Sequence, residues 1–134
     1  MNATVIAPPT LHRLIEGAYD EIYNRVRTGL KAAGLEILAE INLTEFLAQG
    51  LQSYVRPYNI LVVCNAELAH RALTIAPGVG VMLPCHVAVL QTHDELVEVK
   101  SADPLLAWDT ASHAYLKPVA EEFGKRLERV VTAL

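Results

Sequence analysis

The feature that most constrains the fold is a change of hydrophobic period at a single glycine. From Tyr19 to Ala33, the residues Ile22, Val26, Leu30 and Ala33 recur every three or four positions, which lays one apolar stripe along a helix. Gly34 follows where a helix C-cap is wanted, because glycine enters the left-handed region without steric cost. From Leu35 to Leu43 the spacing becomes two. Leu35, Ile37, Ala39, Ile41 and Leu43 alternate with Glu36, Leu38, Glu40 and Asn42, which predicts a strand with one buried face. A chain that changes period in this way packs helices on a sheet.

The remaining segments extend that scheme. Thr10–Glu16 is ambiguous: Leu11, Leu14 and Ile15 suit a helical face, whereas Gly17 suits a strand end. Thr44 can N-cap a short helix over Glu45–Leu51. Ile60, Leu61, Val62 and Val63 are apolar without alternation, as in a strand covered on both sides. Asn65 is a good N-cap for a helix over Ala66–Ile75, with Leu68, Ala69, Ala72 and Leu73 facing inward. Val79–His93 and Glu95–Ser101 read as a hairpin turning at Thr92–Glu95. Leu105–Leu116 has no clear period. Pro118 suits the first turn of the last helix, which carries Val119, Phe123, Leu127, Val130, Val131 and Leu134 on one stripe. The expected class is α+β: a mainly antiparallel four- to five-stranded sheet with helices packed on it, formed by residues 10–134 behind an arm of residues 1–9.

Composition narrows the function. A chain of 134 residues supports one core and is short for two. With 52% hydrophobic and 19% charged residues it cannot be a disordered segment. The net charge of −4 makes nucleic acid and anionic membrane unexpected partners. No apolar run approaches the ~20 residues of a membrane span. Met1–Pro9 lacks the basic start and apolar stretch of a signal peptide, so a cytoplasmic location is expected. Its two cysteines are then expected to be reduced thiols.

Three segments stand together: GLEILAEINL, RPYNILVVCNAELAHRAL, and VGVMLPCHVAVL with ADP after it. In order and spacing they resemble the family known as domain of unknown function 302, over roughly residues 10–134. The family pattern has proline, tyrosine and asparagine where this chain has Ala66, His70 and His86, and it has both cysteines. The resemblance implies a compact α+β domain, often dimeric, with Thr10–Glu16 as a first strand. It implies no established reaction.

The candidate chemistry centres on Cys64, Cys85 and His86. Cys64 ends an apolar strand just before a helix, and a helix N-terminus favours a thiolate. If the two strands are neighbours, both thiols with His70 or His86 would make a soft-metal set. An all-cysteine zinc site within one chain is excluded, and Cys-x-x-Cys and His-x-x-x-His spacings are absent. Against a site, free cysteine packs readily as a small apolar side chain, and one hydrogen bond satisfies a neutral surface histidine. On a straight strand Cys85 also points away from His86, unless Pro84 produces a bulge. That geometry places Cys85 toward the core beside Cys64, and His86 on an open or interface face. The mates of His86 there, Met82, Ala88 and Leu90, are too apolar for a solvated sheet face, so a helix or a second subunit should cover them.

Other chemistries have less to stand on. There is no Gly-rich phosphate loop and no Gly-x-Ser-x-Gly elbow. Cys64 and His70 could pair as nucleophile and base, but no spacing selects Asp103, Asp94 or Glu67 as the orienting group. Glu36 with Glu40 reads as a solvated strand face, and His12, His93 and His113 lack convergent partners. Three readings stand. One is a homodimeric binding domain with a soft metal or haem-like cofactor near Cys64, Cys85 and His86. The second is a thiol redox protein or small enzyme using Cys64. The third is a structural or interaction module with both cysteines in the core.

Overall fold

The computed structural model describes residues 10–52 and 54–134; the expected arm over residues 1–9 lies outside the described residues. Five strands, β1 Thr10–Glu16, β2 Glu36–Asn42, β3 Tyr58–Cys64, β4 Cys85–His93 and β5 Leu96–Ala102, form one sheet in the order β1-β5-β4-β3-β2. Every neighbouring pair is antiparallel. The helices are α1 Tyr19–Ala32, α2 Leu43–Leu51, α3 Ala66–Ile75, α4 Pro104–Ala107 and α5 Leu116–Thr132. The fold is α+β, and Thr10–Glu16 is a strand.

Residues opposite one another on antiparallel strands share a face. Ile15, Val97, Val99, Val87, Val89, Cys85, Leu61 and Val63 thereby form the inner face, and all are buried. Against them pack Ile22, Val26 and Leu30 of α1, Leu68 and Ala72 of α3, and Val119, Phe123, Leu127, Val130 and Val131 of α5. Gly29 brings α1 close to α5: a Cβ there would stand 3.2 Å from Val130 Cγ1. The α1 helix ends as its sequence predicts, with Gly34 at φ 76°. Arg13, an inner-face residue of β1, donates from Nη1 to the Thr132 carbonyl at 2.8 Å, closing the C-terminus of α5.

Three sequence expectations are corrected. The alternation over Leu35–Leu43 does not survive β2, because the register slips between Ile37 and Ala39. Ile37 pairs with inner-face Val63, whereas Ala39 pairs with Val62 and Ile41 with Ile60, both on the outer face. One extra residue inverts everything after it. Thr44 is not the cap of α2. Asn42 accepts from Glu45 N at 2.9 Å, while the Thr44 hydroxyl donates to Arg56 O and accepts from Tyr58 N. Finally, Val79–Leu83 is not strand. Pro77–Val81 is a 3-10 helix that leaves Val81 88% exposed, and β4 begins at Cys85, immediately after the donor-less Pro84.

Candidate functional site

Cys64 closes β3 and Cys85 opens β4, so the two thiols meet at one end of the sheet on adjacent strands. Cys85 pairs with Val63 on the inner face, and Cys64 pairs with Glu36. Both are buried and free. They therefore belong to alternate sides of the sheet, yet Cys85 feels the charge of Cys64. Burial pushes the Cys85 thiol up to about 12, with the charges of Cys64 and Asp103 adding to it. Sequence alone favours a thiolate at Cys64; the structure opposes it. Burial raises that thiol too, outweighing the backbone hydrogen bond at Asn65 that lowers it, and the carboxylate of Glu36 adds to the rise. The helix N-terminus behind it is already occupied. Asn65 Oδ1 accepts from Leu68 N at 2.9 Å, and its Nδ2 donates to Gly34 O at 2.8 Å. Cys64 Sγ has only a long 3.9 Å contact to Asn65 O. Protonated thiols are poor nucleophiles and poor metal ligands.

His86 stands on the outer face, paired with Val62, and is exposed. Cys85 and His86 thus point to opposite sides. His70 is exposed on α3. No three His, Cys, Asp or Glu side chains converge in a metal-holding arrangement among the described residues.

The outer face is the more unusual surface. Its strand residues include His12 and Leu14, Glu98 and Lys100, Ala88 and Leu90, Ile60 and Val62, and Ala39 and Ile41. None of these is buried. The β1–β5 half is charged, with His12 Nε2 3.1 Å from the Glu98 carboxylate. The β4–β3–β2 half is apolar. Sequence reasoning could locate this face at His86 but not its extent, because the bulge moves Ala39 and Ile41 onto it. On the helical layer, a shallow groove of about 740 Å³ runs between α1 and α5, lined by Gly29, Ala32, Ala33 and Val130, with Arg25 and Arg129 beside them. It does not reach Cys64, Cys85 or His86.

One antiparallel five-stranded sheet with helices on its inner face defines a small α+β domain. The sequence profile of the domain of unknown function DUF302 matches residues 12–134, and the chain belongs to that family. The crystal structure of an uncharacterized conserved DUF302 protein from Bacillus stearothermophilus is similar to it: 27% identical, with a TM-score of 0.79, covering 91% of this chain and 96% of that one. No curated protein matches it. Among the described residues no helix is long and apolar enough to cross a membrane.

Proposed function

We propose that this chain is a homodimeric, non-enzymatic binding domain, assembled through the outer face of its sheet, with both cysteines serving as core. One observation carries the reading. β3 is apolar on both sides, as a strand covered twice would be, but the helices cover only one of them. Ile60, Val62, Ala88 and Leu90 then form the centre of an apolar patch, beside charged β1 and β5. An isologous pair buries such a patch against itself. The test is the mass in solution at micromolar concentration. Sedimentation should give a dimer for the native chain and a folded monomer for Ile60→Glu. A native monomer would sink the reading.

A soft metal or haem-like cofactor near Cys64, Cys85 and His86 is a second reading. What supports it is the register, which sets Cys64 two residues beyond Val62, the partner of His86. One thiol and one imidazole therefore lie diagonally on neighbouring strands. Two copies meeting on this face would double the set. An absorption spectrum with elemental analysis of the purified protein tests it; a colourless, metal-free dimer rejects it.

A further inference from the structure

We infer that α2 is the arm with which each copy grips the other: the flank carrying Phe46 packs on the apolar half of the partner's outer sheet face. This rests on the dimer reading above and adds the contact that completes it.

The helix itself supplies the first observation. Of the nine residues in Leu43–Leu51, none is buried, and Phe46 and Leu51 are 68% and 74% exposed. A helix this short is marginal in water without a packed face. Leu43, Phe46, Leu47, Gly50 and Leu51 lie within one arc of about 140° at 100° per residue. Only Leu43 and Leu47 in that arc are half-buried. The arc is made for contact, and most of it is uncovered by the described residues.

Its direction is fixed by what holds it. The α2 helix follows β2 without a linker. The Thr44 hydroxyl ties it to Arg56 O at 3.0 Å and to Tyr58 N at 2.8 Å. Thr44, Glu45 and Ala48 line a cleft with Tyr19 and Asp20 of α1, on the helix-covered side. Phe46 is two residues from Ala48, hence about 160° around the helix from it, and turns away from that side. Pinned at the β2–β3 end, α2 leaves Phe46 uncovered by its own sheet. A two-fold partner presents the matching surface.

Area supports the same occupant. Five strands at ~4.8 Å spacing and about 23 Å length give a face of roughly 550 Å². A stable interface needs about 800 Å² from each partner. The flank of a helix about 13 Å long adds roughly 130 Å², which brings the surface near that value. Ile41, 43% exposed on the outer face, makes the sheet patch continuous with the start of α2.

The experiment places a photo-crosslinking phenylalanine analogue at Phe46 in the full chain, with isotope-mixed subunits so that links between chains are distinguished. The expected product joins Phe46 of one copy to the Ile60 or Leu90 peptide of the other. Phe46→Glu should weaken dimerisation about tenfold or more, as loss of a buried aromatic anchor does, and Phe46→Leu should restore most of it. The melting curve at low concentration controls for folding. A native monomer defeats the dimer reading itself. A native dimer with no link between chains, or with Phe46→Glu as tight as the native protein, overturns the arm and leaves the dimer standing.

Discussion

Cys85 shows how far a single residue's environment can silence its chemistry. Its thiol is pushed from an ordinary value of 9.0 up to about 12, chiefly by burial. Below pH 9 the thiol is protonated folded or unfolded, and its contribution to stability is complete. Above pH 9 the unfolded chain releases the proton while the fold holds it until about 12, so stability falls as pH rises through that window. Denaturation midpoints should therefore decline from pH 9 to 10, before half-buried Tyr19 and Tyr23 add their own dependence. The Cys85→Ala protein should start about 1 kcal/mol lower but decline less steeply; an equal slope would contradict the assignment. Both thiols should alkylate slowly in the native state. The chain spelled out Asn65 as a cap, because capping is local. It did not spell out Arg13 as the closure of α5, because that contact joins residues 118 and 119 positions apart.

Elements were legible where one period ran uninterrupted. The stripes of α1 and α5 could be read directly, since each helix buries one arc against one sheet. β2 misled because its bulge depends on pairing with β3, which no local pattern encodes. Val79–Leu83 misled because valine and leucine runs suit strands, although Pro77 and Gly78 permit the 3-10 turn instead. The joint between α1, β2 and α3 is where a change should be most visible. Asn65 caps α3 and also holds Gly34 O, so Asn65→Ala should lose about 1–2 kcal/mol in chemical denaturation. Gly34→Ala should lose about 1 kcal/mol, because φ is 76° there and a Cβ would stand 3.0 Å from Arg126 Nη1.

At the scale of the molecule, the sheet has one face packed by helices and one that the helices leave uncovered. The location of His86 on that second face was readable from strand parity. The convergence of its neighbours was not, because it requires three strands, β4, β3 and β2, in register. If two copies share this face, folding is linked to association, and the melting temperature should rise with protein concentration. Scanning calorimetry over a hundredfold range of concentration measures this directly, and a constant midpoint speaks for an independent monomer. Ile60→Glu should remove the concentration dependence, whereas His86→Ala, changing an exposed side chain, should alter stability by less than about 0.5 kcal/mol.

The strand order has a kinetic consequence. β4 and β5 are joined by a tight turn, and β3 and β2 add to them through helical connections over residues 65–84 and 43–57. β1 belongs at the far edge, where Thr10 must find Ala102 across most of the chain. Closing so long a loop is slow. The first of these five strands to be synthesised is therefore among the last to be seated, and until it arrives β5 offers an unpaired edge. Nascent chains should spend their vulnerable interval in that four-stranded state, and refolding yields should fall when Leu14→Pro delays the final strand.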